Sequence, residues 1–499
     1  MNYFQNFIFG LGIAFQPWNL LSCFFGVFIG TLIGVLPGIG PVGTISLLLP
    51  LTFGISPVTG IIMLAGIFYG AMYGGSTTSI LVNIPGEATS VVTCLDGYQM
   101  ARQGRAGPAL GIAVFGSFIA GTLSVVGLMF LANSLAEFAV KFGPAEYFSL
   151  MCLGLSILIY LTQGSILKGL VMAGVGLFLS LIGQDIITGK TRFTFGFIGL
   201  VDGIGLVPLV MGLFGISEIL LNLERLAERI ILKTKIKGLY PSREDWRRSA
   251  KPIARGTLLG FFLGILPGAG AVTATFLSYA LEKKFSKHPE EFGKGAIEGV
   301  AGPESANNAA TGASLIPLFS LGIPSNVVAA LLLGALMIHG IAPGPLLLTE
   351  HPEVFWGTVA SMYVGNAMLL VLNLPLIGIW VRVLRVPYKT LFPLILLFCL
   401  IGSYSIGNNV FDIFVMLFFG ALGYLLRKLN YEPAPLALAY VLGPMVEQSL
   451  RQALVLSDGS FRIFLARPIS AGCLFITFLL LFSAVFTFLQ KKRKIVVAE

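Results

Sequence analysis

The sequence predicts an all-α polytopic membrane protein made of two inverted repeats with broken helices and re-entrant hairpins. Three observations predict it. Long apolar stretches recur from residue 18 to residue 490. An eleven-residue pattern built around Leu-Pro-Gly occurs twice, half a chain apart. Each copy is followed by a polar, Gly-rich segment that ends in an Ile-Pro turn.

Composition fixes the solvent. Of 499 residues, 56% are hydrophobic and only 11% charged. The mean hydropathy is +0.89. A soluble domain carries roughly 25% charged residues. A helix needs about 20 apolar residues to cross a bilayer. Candidate runs lie near 18–36, 42–72, 107–135, 146–184, 203–222, 254–281, 311–340, 354–384, 388–429, 433–450 and 468–490. Several are long enough for two passes, so roughly ten to thirteen spans are expected, some of them broken.

The net charge of +9 does not indicate nucleic-acid binding, because the charge lies in short loops. No Lys or Arg precedes Arg102, whereas ten fall between Arg225 and Arg255. A last cluster is Lys491-Lys492-Arg493-Lys494. Lys and Arg collect on the cytoplasmic side of membrane proteins. The basic loop and the C-terminus are therefore expected in the cytoplasm, with Arg102 and Arg105. The basic stretch 223–254 divides the chain into a first repeat, 18–222, and a second, 255–465, with 468–490 as an additional C-terminal helix. The uncharged N-terminus is free to lie outside, so the two repeats would enter from opposite faces. The N-terminus lacks a basic region and a cleavage site, and the first span is expected to be retained.

The doubled pattern reads Gly30-Thr-Leu-Ile-Gly34-Val-Leu36-Pro37-Gly38-Ile-Gly40 and Gly260-Phe-Phe-Leu-Gly264-Ile-Leu266-Pro267-Gly268-Ala-Gly270. Six positions are identical. Pro removes a backbone donor and Gly loosens the helix. In lipid such a break survives only where protein buries it or where it lines a cavity. Paired breaks in two halves point to a transporter binding site. The correspondence continues from Phe142-Gly-Pro-Ala-Glu-Tyr-Phe148 to Val386-Pro-Tyr-Lys-Thr-Leu-Phe392. The offset grows from 230 residues at Pro37 and Pro267 to 244 at Phe148 and Phe392, which implies an insertion in the second half.

The polar segments carry the candidate site. The first runs Ser76-Thr77-Thr78-Ser79, then Asn83-Ile-Pro85-Gly86-Glu87. The second runs Glu304-Ser305-Ala-Asn307-Asn308, then Thr311 and Ser314, and turns at Pro324-Ser325. Ser, Thr and Asn are good N-caps, and a half-helix N-terminus offers free N–H groups to a carboxylate. Backbone carbonyls at the breaks, with side-chain oxygens, can hold Na⁺. The expected solute ligands are Ser76, Thr77, Thr78, Ser79, Asn83, Pro85, Gly86, Ser305, Asn307, Asn308, Ser314, Pro324 and Ser325. The expected cation ligands are Gly38, Gly40, Gly268, Gly270, Glu304 and Asn308. Glu87 is read as a cap for the helix after the first tip. Asp96, Asp202, Asp412 and Glu447 are placed at loop edges or span ends.

Other chemistry finds little support. Cys23, Cys94, Cys152, Cys399 and Cys473 have no paired spacing and read as packing residues. His288, His339 and His351 have no metal-ligand spacing, and no transition-metal site is expected. There is no His-Glu-x-x-His, Gly-x-Gly-Asp or Gly-x-Ser-Gly, and no Walker-type Gly-x-x-x-x-Gly-Lys-Ser/Thr. An enzyme is not expected, and no cofactor beyond a coupling ion, Na⁺ or H⁺.

The chain resembles the TctA family, the large membrane subunits of tripartite tricarboxylate transporters. The resemblance rests on Gly34-Val-Leu-Pro-Gly-Ile-Gly-Pro41, Tyr69-Gly-Ala-Met-Tyr-Gly-Gly-Ser-Thr-Thr-Ser79, Ile84-Pro-Gly-Glu87, Asp96-Gly-Tyr-Gln-Met-Ala101 and Gly104-Arg-Ala-Gly107. In the second half it rests on Arg243-Glu-Asp-Trp-Arg247, Gly264-Ile-Leu-Pro-Gly-Ala-Gly270, the run from Gly293 to Glu304, and Ala342-Pro-Gly-Pro345. At the second tip the chain has Ser325-Asn326-Val327-Val328, where many members carry Gly and small hydroxylated residues. The resemblance implies uptake of carboxylates such as citrate across the bacterial inner membrane by Na⁺ or H⁺ symport. It also implies a small four-span partner of the TctB type and a periplasmic binding protein of the TctC type. An elevator-like arrangement is implied by analogy of fold alone, and a homodimer of the membrane complex is expected. Two other readings stay open: a passive anion channel or permease, and transport of another small anion such as an amino acid.

Overall fold

The computed structural model describes residues 3–36, 40–161, 165–185, 187–224, 238–268, 270–384, 386 and 388–496. Pro37, Gly38 and Ile39 of the first break, Ala269 of the second and residues 225–237 of the basic loop lie outside the described residues.

The helices of the first half are α1 (Tyr3–Ala14), α2 (Pro17–Val35), α3 (Gly40–Leu48), α4 (Pro57–Val82), α5 (Val91–Arg102), α6 (Ala106–Ala139), α7 (Pro144–Leu161), α8 (Ile166–Leu179), α9 (Leu206–Val210) and α10 (Ser217–Glu224). The second half begins with α11 (Arg243–Ile265), α12 (Gly270–Phe285), α13 (Glu298–Ala313), α14 (Leu315–Leu321), α15 (Val327–Ile338), α16 (Leu347–Glu350) and α17 (Pro352–Asn373). It ends with α18 (Ile377–Val383), α19 (Tyr388–Gly407), α20 (Val410–Lys428), α21 (Ala434–Leu456), α22 (Arg462–Ala466) and α23 (Pro468–Val496). Strand is confined, among the described residues, to one antiparallel pair, Gly183–Gln184 with Thr191–Arg192.

Six of the described segments are long and apolar enough to cross a membrane. They are α2, α4, α6, the run Leu206–Glu224, α17 and α20. Shorter apolar helices include Gly40–Gly54, Pro144–Tyr160, Ile166–Leu179, Val327–Ile338, Phe392–Ser405 and Pro468–Ser483. The all-α, multi-pass expectation therefore holds.

The Leu-Pro-Gly motifs end helices where the sequence places the breaks. Helix α2 stops at Val35 and α11 at Ile265, with Leu36 and Leu266 extended. Gly40 and Gly270 then open α3 and α12 with left-handed φ of +63° and +59°. A residue with a Cβ adopts that conformation at a cost.

Part of the basic stretch is ordered as helix. Ser242 and Asp245 form a reciprocal capping box at the start of α11, with N–H to oxygen distances of 3.1 and 3.0 Å. Its cations then pair with acids. Arg105 meets Asp245 at 2.8 Å, and Arg248 meets Glu291 at 2.6 Å and Glu298 at 2.7 Å.

The chain forms two compact units. One comprises Met1–Ala136, Val207–Leu266 and Gly270–Tyr424; the other Glu137–Leu206, Pro267–Ala269 and Leu425–Glu499. Both sequence halves contribute to each. Inside the first unit α2 packs along α4 and α11 along α13. Inside the second, α7 packs on α21 and α23, and α8 on α21. That second unit also buries charge. Arg451 pairs with Asp185 at 3.0 Å and Glu447 at 2.8 Å, and Arg192 joins Glu447 at 2.7 Å. Glu447 thus stands within α21 as an ion-pair partner of Arg192 and Arg451.

Candidate functional site

Small residues bring the backbones of the first unit together. Gly26, Gly30 and Gly34 of α2 lie against Gly66, Gly70, Ala71 and Gly75 of α4. Gly256, Gly260 and Gly264 of α11 lie against Gly302, Ala306 and Ala310 of α13. A Cβ at Gly264 would sit 2.5 Å from the Ala310 carbonyl oxygen. Small-xxx-small contacts of this kind replace the hydrophobic drive that lipid removes.

The hydroxyl-rich run is helical, which corrects the expected break. Helix α4 continues through Ser76, Thr77, Thr78 and Ser79 to Val82, and all four are buried. Ser76 and Ser79 bond back to the carbonyls of Met72 and Gly75, at 3.1 and 2.9 Å. A hydroxyl satisfied this way does not interrupt a helix. Thr78 donates to Val35 O at 2.8 Å, covering a carbonyl that the first break frees. The second run behaves alike. Ser305 donates to Ala301 O and Thr311 to Asn307 O, within or at the end of α13.

The interruptions fall at the Ile-Pro turns. Asn83 caps α4 with a left-handed φ of 58°, and Gly322 caps α14 with 71°. Glu87 and Asn326, one residue past each tip, are the N-caps. Glu87 accepts from Thr89 N at 3.2 Å and Asn326 from Ala329 N at 2.9 Å. The caps at the two tips are therefore Glu87, as expected, and Asn326, and not Ser76–Ser79. Pro85 and Gly86 lie at the first tip, where Gly86 packs against the backbone of Gly34 and Gly75. Pro324 lies at the second, where Ser325 Oγ donates to Ser314 O at 3.1 Å.

The polar centre joins both halves. Glu304, 1% exposed, receives a hydrogen bond from Ser76 Oγ at 2.5 Å on Oε2 and one from Thr93 on Oε1. Asn308 donates to Ser117 Oγ at 2.6 Å and to Glu304 O at 3.1 Å. Ser124 donates to Ala309 O at 2.8 Å. Farther along, Tyr73 donates to Asn366 Oδ1 at 2.5 Å, and Asn366 reaches Phe118 O and Thr122 on α6, both at 2.9 Å. Five helices, α4, α5, α6, α13 and α17, are thereby connected through side chains.

Asn307 stands apart. It is 1% exposed, and neither atom of its amide has a partner. A buried polar group without a partner costs about 1–3 kcal/mol. Such a group in a native fold calls for a ligand or water.

Of the expected residues, the structure brings together Ser76, Glu304 and Asn308 in one network. Ser314 and Ser325 bond to each other. Gly40 and Gly270 face open space, whereas Gly268 packs on Leu158. Gly38 lies outside the described residues. Sequence reasoning missed Thr93, Ser117, Tyr73 and Asn366. Asn366 gave a signal, an amide in the middle of an apolar span.

Asp96 is not at a loop edge. It is fully buried, and its Oδ1 accepts from the N–H groups of Gly293, Gly295 and Ala296 at 2.9, 2.7 and 2.9 Å. Tyr279 OH donates to Oδ2 at 2.8 Å. This carboxylate fastens α5 to the turn before α13.

Multi-pass helices with close small-residue contacts around a buried polar centre are an arrangement suited to a membrane transport protein. The Tripartite tricarboxylate transporter TctA family profile matches residues 20–438, and the chain belongs to that family. It is thus the large subunit of a tripartite tricarboxylate transporter. An Agrobacterium vitis protein, described as an uncharacterized 52.8 kDa protein in the TAR-I ttuC' 3' region, is 52% identical over all 499 residues and 99% of its own length. A second Agrobacterium vitis protein, from the TAR-II ttuC' 3' region, is 51% identical over 240 residues, 48% of this chain and 99% of its own. No solved structure matches.

Proposed function

We propose that the chain is the solute-carrying subunit of a secondary active importer that takes up carboxylates such as citrate across the bacterial inner membrane, driven by a Na⁺ or H⁺ gradient. The observation that carries this reading is the unpartnered Asn307 amide, one turn from Glu304 in a fully buried polar centre. An amide and neighbouring hydroxyls can hold a carboxylate, and a buried acid can hold a cation.

The reading includes two inverted repeats. Gly26, Gly30 and Gly34 of α2 correspond to Gly256, Gly260 and Gly264 of α11, and each set packs on the helix that leads to an Ile-Pro tip. An elevator-like cycle belongs to the same proposal. Family membership supports a TctB-type four-span partner and a TctC-type periplasmic binding protein that delivers the solute. The repeat boundaries of 18–222 and 255–465, a cytoplasmic C-terminus and a homodimer of the membrane complex are further parts of it. The solute ligands are taken to be Ser76, Asn307 and Asn308 with the two tips, and Glu304 supplies the negative charge of the cation site.

The test is uptake of labelled citrate and dicarboxylates by cells carrying Ser76→Ala, Asn307→Ala and Asn308→Ala with the partner subunits. Each variant is expected to lower uptake at unchanged membrane abundance. Unchanged transport in all three removes the site.

A further inference from the structure

Glu87 has a second role open to it besides capping. Its Oε2 accepts from Thr89 Oγ1 at 2.5 Å and from Thr89 N at 3.2 Å. Its Oε1 has no partner, although the residue is only 9% exposed. That oxygen faces the Cα of Gly75, where a Cβ would lie 2.6 Å from it. The next residue, Ser76, donates to Glu304 at 2.5 Å. Two buried carboxylates thus flank consecutive residues of α4, one from each half of the chain. Among the described residues neither has a Lys, Arg or His within ion-pair distance.

The other titratable groups around Glu87 leave this charge unbalanced. Cys94 of α5 lies within electrostatic reach. On α12, Tyr279 is held by Asp96 and Glu282 by Arg255. Tyr73 of α4 is engaged by Asn366, and Tyr69 by Cys23. Two buried carboxylates flanking the same helix with no cation beside either repel, which favours neutralising one of them. Both oxygens of Glu304 already hold hydroxyl donors. The free acceptor is Glu87 Oε1. A second sign that the centre is incomplete comes from Asn307, three residues beyond Glu304, with both amide atoms free.

We propose that Glu87 is the carboxyl that carries the coupling proton, and that Glu304 is the fixed charge against which it works. This rests on the carboxylate-import reading above. A proton from the outer side binds Glu87 Oε1 and converts the carboxylate to a carboxylic acid. An anionic solute can then occupy the Asn307 region without meeting two negative charges. Inside, solute and proton leave and the carboxylate is restored. The coupling is reciprocal: the proton favours the anion and the anion favours the proton.

The experiment uses the complete transporter in proteoliposomes, with radiolabelled citrate and a trapped pH-sensitive dye, in sodium-free choline buffer. Wild type is expected to accumulate citrate down an inward proton gradient and to acidify the lumen as citrate enters. Glu87→Gln keeps an acceptor for Thr89 and is expected to lose citrate-linked acidification and the pH dependence of uptake. Melting temperature and gel-filtration profile establish that the variant is folded. Citrate-linked acidification at the wild-type level in Glu87→Gln overturns the proposal. So does a wild type whose saturable uptake follows a Na⁺ gradient with no proton entry, a result that needs no variant and leaves the importer reading intact. A wild type with no saturable uptake under either gradient overturns that reading and this proposal together.

Discussion

Removing the Asp96 carboxylate is expected to loosen the polar centre from outside it. Three backbone N–H groups, of Gly293, Gly295 and Ala296, converge on one oxygen, and Tyr279 OH on the other. The side chain is fully buried, so Asp96→Ala leaves three donors without water. Each unsatisfied group costs about 1–3 kcal/mol, so the loss sums to roughly 3–6 kcal/mol after partial relaxation. Asp96→Asn keeps one carbonyl oxygen for the three N–H groups and is expected to cost about 1–2 kcal/mol, the difference between a charged and a neutral acceptor. Thr93 lies one turn earlier on α5 and donates to Glu304. Uptake should therefore fall with stability in Asp96→Ala. The assay is thermal unfolding of the detergent-solubilised complex, with citrate uptake on the same variants. An Asp96→Ala protein within about 1 kcal/mol of wild type would refute the clamp, because surface-like positions behave that way. Equal damage from Asn and Ala would refute the argument that acceptor geometry carries the effect.

Gly74→Val is expected to abolish stable membrane expression, since its Cβ would collide with the Thr31 carbonyl, whereas Gly12→Ala, where nothing lies within 4 Å, should express normally; fluorescence-detected gel filtration compares them. Arg255→Met leaves Glu282, 1% exposed, as an unpaired buried charge and should destabilise by about 3–5 kcal/mol, which Arg255→Met with Glu282→Met should largely recover; thermal unfolding of both reads it. The Arg248 guanidinium, bonded to Glu291 at 2.6 Å, holds that carboxyl below its usual range. A depressed carboxyl stabilises above its unfolded-state pKa and loses that contribution as pH falls through the folded one. Glu291 is well exposed, so no more than about 1 kcal/mol is at stake, and Arg248→Gln should flatten the acid limb of the stability profile by that amount.

The sequence exposed the parts of this protein that depend on backbone chemistry. Pro and Gly at Leu36–Gly40 and Leu266–Gly270 marked where α2 and α11 stop, because Pro cannot continue the helical hydrogen bonding and Gly alone takes the left-handed turn without cost. The Ile-Pro tips were legible for the same reason. The hydroxyl run was misread, because Ser and Thr in sequence look like caps whether or not their hydroxyls turn back onto the i−4 carbonyl. Only the neighbours decide that, and here α2 and α13 hold Ser76–Ser79 in a continuous helix. Glu304 was legible as a buried acid. Its partner Thr93 and the Ser117 that binds Asn308 were not, since pairings across about two hundred residues leave no local pattern. Asp96 was misplaced for the same reason.

The buried carboxylates divide by how completely they are satisfied. Asp96 has four donors. Glu282 has the fork of Arg255, with Nε at 2.9 Å. Asp185 has Arg451 and the backbone of Ile187. Each of these is closed, and closure is what a structural acid needs in a dry interior. Glu304 and Glu87 are different. Their donors are neutral hydroxyls and one backbone N–H, and one Glu87 oxygen is left bare. A fold that can satisfy Asp96 with three converging N–H groups does not lack the means to do the same elsewhere. A bare carboxylate oxygen beside acids that are fully bonded is what a site with an exchangeable partner would show. On the proposed function, that partner is cargo or coupling ion. The contrast between closed and open acids therefore supports the proposed centre more sharply than the polar clusters do.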